Sequence, residues 1–354
     1  MPGNRARPLP ERDLDHILEH TQGLWDELRG GRLFVTGGGG FFGRWMLESF
    51  LRANDDLGLG AAAIVLTRDP RAFADAAPHI TDHKAVTLHA GDVRSFDDPL
   101  VGCTHVLHMA TETALGVSPA ASFQTAVEGT ERVLDFAVRG GARKLLLTSS
   151  GAVYGTQPPE CERIPEEYTG APHPDDLSAG YAHGKRAAEL LCSAAAAQTT
   201  LEIKIARCFA FVGPLLPLDA NFAIGNFIRD ALYRDRIEVA GDGTSHRSYL
   251  YAADLAAWLW TILFRGESSR PYNVGSEADL SIAALAHLVA SVVRPDIPVR
   301  IAESPVPGAQ PARYVPSTAR AARELDVHTR VVLDDAVWRT AQWYLAGPTP
   351  RGRG

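Results

Sequence analysis

Cysteine is scarce in this chain, and surplus positive charge is absent. The four cysteines (Cys103, Cys161, Cys192, Cys208) show neither CxxC pairing nor a metal-ligand spacing, which excludes a disulfide-stapled framework and a zinc ribbon. Three of them lie in apolar or helical surroundings, where cysteine serves as a small core residue. No metal site is expected. A formal net charge of −7 offers no basic field to a polyanion, so nucleic acid is not an expected partner. No apolar run reaches membrane-spanning length, and the start MPGNRARPLPERD has no apolar signal core. The expectation is therefore a cytoplasmic protein with reduced thiols and no membrane contact. What remains is ordinary globular composition, 45% hydrophobic and 22% charged, in 354 residues, enough for one large domain or two fused ones.

Glycine, by contrast, is concentrated. Residues 36–43 read TGGGGFFG between the apolar run Leu33-Phe34-Val35 and the stretch Trp45-Met46-Leu47. A strand thus runs into a glycine turn and then a helix. Gly37 permits the tight turn, Gly40 admits backbone to a pyrophosphate, and Gly43 lets helix pack on strand. The helix N-terminus adds unpaired N–H groups and positive dipole charge. Phe41 and Phe42 belong to the same stretch. The strand–loop–helix context is the one a dinucleotide requires.

Apolar runs and helical stretches then alternate. Strands are expected at 32–36, 62–67, 85–89, 104–109, 143–149 and 202–207, and helices at 41–53, 120–139 and 180–197. Alternation of this kind predicts parallel β-α-β units, an α/β Rossmann doubly wound sheet whose ligands sit at the strands' carboxyl ends. Before it, residues 1–10 are expected to be disordered, and Leu14, Ile17, Leu18, Leu24, Trp25 and Leu28 predict an amphipathic helix ending at Gly30-Gly31. Beyond residue 212 come a helix near 222–234, a strand near 237–239 and a buried helix at 253–265. The expected division is 1–30 as tail and helix and 31–212 as the NAD(P)-binding domain. Residues 213–345 form mainly a smaller C-terminal substrate-binding domain, with 252–280 partly returning to the first. Residues 346–354 are a flexible tail.

A second signal is Tyr181-Ala182-His183-Gly184-Lys185. Tyrosine and lysine four apart share a helix face. A free phenol ionises near pH 10, too high for a base at neutral pH, and the neighbouring ammonium is expected to lower that value. Thr148, Ser149 and Ser150 end the strand Leu145-Leu146-Leu147, where a hydroxyl points into the ligand crevice. Ser150 is the one placed to bond a substrate oxygen.

Together these residues resemble the extended short-chain dehydrogenase/reductase superfamily, in its NAD-dependent nucleotide-sugar epimerase/dehydratase branch, over residues 31–345. The resemblance implies a catalytic trio of Ser150, three residues before the valine of the Val153-Tyr154-Gly155 element, with Tyr181 and Lys185. It implies that Gly37, Gly40, Phe41, Phe42, Gly43, Arg68, Asp92, Val93, Met109, Ala110, Tyr181 and Lys185 contact the cofactor. For the substrate, a nucleotide-diphosphate sugar, it implies Thr111, Glu112, Ser150, Asn221 and Arg247, the last gripping the diphosphate with a planar guanidinium. It also implies a homodimer through helices 120–139 and 180–197. Arg68 at the strand tip suits the 2′-phosphate of NADP, while a cycle that returns its own hydride suits bound NAD; the cofactor is NAD or NADP.

The match departs where the reaction is decided. Dehydratases of the branch carry Asp-Glu, and decarboxylases a glutamate, where this chain has Gly151-Ala152. That departure favours a nucleotide-sugar epimerase working through a transient 4-keto sugar. The alternatives are a 4,6-dehydratase or decarboxylase using another acid such as Glu112, an NADPH-dependent ketosugar reductase, and a non-catalytic dinucleotide-binding protein. Asparagine is usual in the branch where Ala126 and Ala210 stand, and Asn221 partly replaces the second.

Overall fold

The computed structural model describes residues 7–98, 102–111 and 117–347. Its long strands are β1 (Arg32–Thr36), β2 (Ala62–Thr67), β3 (Val86–Ala90), β4 (His105–His108), β5 (Lys144–Ser150) and β6 (Glu202–Cys208). Shorter ones follow: β7 (Phe211–Val212), β8 (Ile237–Val239), β9 (His246–Ser248), β10 (Leu250–Tyr251), β11 (Pro271–Val274), β12 (Asp279–Ser281), β13 (Val299–Ile301) and β14 (Arg313–Tyr314). The helices are α1 (Glu11–Glu19), α2 (Phe41–Asp56), α3 (Pro70–Ala76), α4 (Pro78–Thr81), α5 (Pro119–Arg139), α6 (Gly180–Gln198), α7 (Ala223–Tyr233), α8 (Ala252–Arg265), α9 (Ile282–Val293), α10 (Ala319–Leu325) and α11 (Leu333–Leu345). None of them is long and apolar enough to cross a membrane.

Seven strands form one parallel sheet in the order β3-β2-β1-β4-β5-β6-β11. The doubly wound α/β fold expected from the alternation is present, and the order reverses between β1 and β4. Side-chain alternation assigns the two faces. Val35, Val65, Leu107 and Leu146 pack with Trp45, Phe50, Leu259 and Ile262 from α2 and α8. Phe34, Ile64, Val106 and Leu145 pack on the opposite face with Val133, Phe136, Ala188 and Cys192 from α5 and α6. Because both faces are covered, the strands read as continuous apolar runs rather than alternating ones. Residues Ala252–Phe264 of α8 are all buried, and the chain then returns to the sheet as its edge strand β11. Three small sheets, β12-β9-β14, β8-β13 and β7-β10, carry the remaining strands.

Two expectations at the N-terminus fail. The helix expected to run to Gly30-Gly31 ends at Glu19, and a separate 3-10 turn spans Trp25–Leu28. Gly23 takes φ +73, and the Thr21 hydroxyl donates to the Ile17 carbonyl at 2.6 Å while accepting from Trp25 Nε1 at 2.9 Å. The apolar spacing survived the break because both pieces pack into the same core. Residues 7–10, expected to be disordered, are docked. Leu9 is buried and its N–H donates to Glu48 Oε2 at 2.6 Å, and Arg7 donates to the Trp343 carbonyl at 2.8 Å.

The anchor of this segment is ionic. Asp13 is fully buried, accepting from the Tyr251 hydroxyl at 2.7 Å and from Arg339 at 3.0 Å. Burial pushes the Asp13 carboxyl up against the opposing pull of those partners. Asp13→Ala leaves the buried Tyr251 phenol without its acceptor and Arg339 with Asp335 alone, and the expected loss of stability is about 2 kcal/mol. Urea unfolding checks it; an unchanged midpoint would contradict this anchor.

Candidate active site

The reversal of strand order opens a crevice, and the glycine loop forms its floor. Gly37 has φ +73, and a Cβ there would lie 2.7 Å from the Ala110 nitrogen. At Gly43 a Cβ would lie 2.2 Å from the Gly37 carbonyl oxygen. Gly40 is the N-cap of α2 and contributes no side chain. The first turn of a long helix therefore faces the crevice bare.

Thr36 locks the ends of β1 and β4 together. Its Oγ1 accepts from the N–H groups of Met109 and Ala110, both at 3.1 Å, and bonds His108 Nδ1 at 2.9 Å. His108 Nε2 reaches Thr130 Oγ1 at 3.0 Å, and that hydroxyl donates to the Ala126 carbonyl at 2.6 Å. The directions follow. Thr130 must accept from His108 Nε2–H, so Nδ1 accepts from Thr36. The ring is neutral, its pKa pushed down to about 3 by burial and secondarily by the Lys185 charge.

At the far end Arg68 follows β2, and Asp92 accepts from Arg94 at 2.8 and 3.1 Å. That guanidinium holds the Asp92 carboxyl below the usual carboxylate range. Val93 is admitted by Gly129 of α5, where a Cβ would stand 3.0 Å from Cγ1 of Val93.

The carboxyl end of β5 supplies the wall that carries Ser150. Ser150 caps the 3-10 turn Gly151–Tyr154 by accepting from the Ala152 N–H at 3.1 Å. The Lys185 ammonium donates to the Thr148 carbonyl at 2.8 Å and lies 5.9 Å from the centre of the Tyr181 ring. Beneath them Glu189 accepts from Ser149 at 2.5 Å and from Arg207 at 2.7 Å, and Arg207 donates to the Tyr154 hydroxyl at 2.9 Å. This buried network clamps α6 to β5 and β6, and so sets where Tyr181 and Lys185 stand.

One expectation is reversed here. The Tyr181 phenol was expected to be lowered; it is raised, because burial outweighs the hydrogen bonding of Ser150 and Thr111. Burial also pushes Lys185 down to about 8. The two effects have one cause, a site dry enough to disfavour either charge alone. Burial thus favours the neutral form of each group, phenol and amine.

Between these elements lies one cleft of about 970 Å³. It brings together Gly37, Gly40, Phe41, Phe42, Gly43, Arg68, Asp92, Val93, Met109, Ala110, Thr111, Ser150, Tyr181, Lys185, Asn221 and Arg247. Glu112 lies outside the described residues. Among the described residues, no group of three histidine, cysteine or acidic side chains could hold a metal ion. Among the lining residues that sequence reasoning missed are Phe209 and Tyr314. Phe209 fills the space over Gly151, where a Cβ would meet its ring at 2.7 Å. Tyr314 enters because β14 pairs with β9 beside Arg247.

A sequence profile described as the NAD dependent epimerase/dehydratase family matches residues 33–275. The chain belongs to that family. It is accordingly an NAD(P)-dependent enzyme of the epimerase/dehydratase type. It is 30% identical over 277 residues to UDP-glucuronic acid decarboxylase 6 of Arabidopsis thaliana, covering 77% of each chain. Two solved structures show the same fold. A dTDP-glucose 4,6-dehydratase from Streptomyces venezuelae with NAD bound matches with TM-score 0.74, 24% identity and coverage of 89% of this chain and 97% of that one. A UDP-glucose 4-epimerase from Thermotoga maritima matches with TM-score 0.73, 18% identity and coverage of 89% and 98%.

For a family member the cleft fits the dinucleotide: its floor has no room for a Cβ at 37 or 43, and the bare α2 N-terminus is suited to a pyrophosphate. Gly43→Ala forces the loop to shift, so NAD(P) affinity is expected to fall at least about tenfold by fluorescence titration. Unchanged affinity would contradict the steric reading. With Tyr181 as the base expected from the sequence, its raised phenol must lose a proton first, so kcat/KM for substrate oxidation is expected to rise with pH through the neutral range. Lys185→Met should move that rise upward by more than about one pH unit, because the phenol then stands alone above its ordinary value. A pH–rate profile unaltered by the substitution would refute the coupling.

Proposed function

We propose that this enzyme oxidises the 4-hydroxyl of a nucleoside-diphosphate uronic acid and releases carbon dioxide from the resulting 4-keto sugar. Residues 31–212 hold NAD(P), with Gly37, Gly40, Phe41, Phe42 and Gly43 at the pyrophosphate. Arg68, Asp92 and Val93 stand at the adenosine, and Met109, Ala110 and Lys185 at the nicotinamide end. The nicotinamide supplies the hydride acceptor. Tyr181 takes the hydroxyl proton, Ser150 bonds the same oxygen, and Lys185 shares its proton with Tyr181. Residues 213–345 supply most of the substrate contacts. Arg247 pairs with the diphosphate, while Asn221 and Thr111 bond the sugar.

With a ketone at carbon 4, the bond from carbon 5 to the carboxylate breaks without a proton donor. Its electron pair moves into the carbonyl as an enolate, which takes a proton from water at carbon 5, and return of the hydride to carbon 4 would restore the hydroxyl and the oxidised dinucleotide. Water loss, by contrast, needs an acid on the departing hydroxyl, and Gly151 and Ala152 provide none. This reading is carried by the Ser150–Tyr181–Lys185 trio standing in a chain 30% identical to a UDP-glucuronic acid decarboxylase. Those relatives favour loss of a group from carbon 5 over the epimerase expected from sequence. Epimerisation at carbon 4 is the second reading, favoured by the same Gly151 and by Phe209 closing the space above it. A homodimer is proposed through α5 and α6, whose Phe123, Val138 and Leu190 are exposed.

Incubation of the holoenzyme with UDP-glucuronic acid in deuterated water decides between the readings. The expected product has lost carbon dioxide and carries one deuteron at carbon 5. An isomer of unchanged mass inverted at carbon 4 would establish epimerisation instead, and net loss of water a dehydratase.

A further inference from the structure

Tyr181, Lys185 and Glu189 follow one another at intervals of four residues on α6, so they form a stripe along one face of that helix. The first two line the cleft, and the third lies beneath it. A carboxylate one turn from an ammonium is its natural ion-pair partner. Lys185 nevertheless donates to the Thr148 carbonyl at 2.8 Å, and Glu189 is engaged elsewhere. Its Oε1 accepts from the Ser149 hydroxyl at 2.5 Å and from Arg207 Nε at 3.0 Å. Its Oε2 accepts from Arg207 Nη2 at 2.7 Å.

Arg207 is held on its far side by groups outside the cleft. Its Nη1 donates to the Tyr154 hydroxyl at 2.9 Å, and the guanidinium lies 4.8 Å from the centre of that ring. The Tyr154 hydroxyl donates in turn to Asn273 Oδ1 at 2.8 Å. The Asn273 amide donates to the carbonyls of Ile164 and Ser317 at 2.9 and 3.0 Å. The side chains of Arg207 and Glu189 are only 15% and 12% exposed, and a carboxylate so buried is costly without a partner. If the guanidinium is removed, the cation nearest along the helix is Lys185. The other titratable and charged groups that face this stripe are Cys192 on α6, His108 on β4, Cys208 on β6, Tyr154 and Glu166.

We propose that Arg207 is a positioning residue that holds the Glu189 carboxylate away from Lys185, leaving the ammonium to the Thr148 carbonyl and the Tyr181 side of the cleft. Without Arg207 the carboxylate pairs with Lys185, draws it off Thr148 and cancels the charge that supports a phenolate. Removing Glu189 as well removes the rival, so the second substitution repairs the first. A purely mechanical clamp predicts the reverse, because each loss then adds to the other. The proposal rests on the reading of Tyr181 and Lys185 as the reactive pair.

The test compares Arg207→Gln, Glu189→Gln and the double variant with the unaltered chain. Lys185 is acetylated with acetic anhydride at about pH 8, the value to which burial lowers it, and its peptide is followed by mass spectrometry. This measurement needs neither dinucleotide nor sugar. Pairing with a carboxylate keeps the amine protonated, so labelling is expected to slow about fivefold in Arg207→Gln and to recover to within about twofold in the double variant. In the NAD-loaded enzyme with UDP-glucuronic acid, kcat is expected to fall at least about tenfold in Arg207→Gln and to return to within about threefold in the double variant, with KM little changed. Labelling unaltered in Arg207→Gln, or no faster in the double variant, would overturn the positioning role. Labelling in the expected order by an enzyme inactive on uronic acids would support that role and remove the proposed reaction alone. Melting curves establish that each variant is folded. Should Arg207→Gln fail to fold, Arg207→Lys takes its place. One ammonium cannot hold both carboxylate oxygens, so a smaller slowing with the same repair by Glu189→Gln is expected.

Discussion

The first turn of α2 lies against the carbonyl of Gly37 with no room for a single methyl group at Gly43. That approach sets the floor of the cleft. It brings the open end of a helix to the carboxyl end of β1, where the strand order reverses and a crevice must form. Thr36 then ties β1 to β4 through a neutral histidine, so the glycine loop and the Met109–Thr111 segment share one rigid base. A polar but uncharged tie suits this place, since a buried imidazolium beside Lys185 would face both burial and a like charge.

The reactive wall is built on a different principle. Ser150, Tyr181 and Lys185 come from two elements, β5 and α6, whose relative position is set by the Ser149–Glu189–Arg207–Tyr154 network beneath them. Burial raises the phenol and lowers the ammonium together. Burial by itself therefore activates neither residue.

Much of this was legible in the chain. The sheet announced itself through runs such as Leu145-Leu146-Leu147 because both of its faces are covered, and Tyr181 and Lys185 were legible because four residues make one helix face. Tyr314 was not, because it enters the cleft only through the pairing of β14 with β9, two short strands with no periodicity of their own. Phe209 stood in plain view beside Arg207, yet its role depends on the emptiness of Gly151, a three-dimensional fact. The N-terminal helix was read too long because apolar spacing reports which core a segment faces, not whether its backbone is continuous through Gly23. The phenol's pKa was read in the wrong direction because the neighbouring ammonium is visible in sequence and burial is not.

The account stands on oxidation of a sugar alcohol by bound dinucleotide with Tyr181 as the base. Rapid mixing of the NAD-loaded enzyme with UDP-glucuronic acid, followed by the near-ultraviolet absorbance of reduced nicotinamide, tests that step before any product forms. The predicted result is a transient rise and decay, slowed when carbon 4 of the sugar carries deuterium and abolished in Tyr181→Phe. A transient of full amplitude and rate in Tyr181→Phe, or product formed without reduction of the nicotinamide, would contradict it.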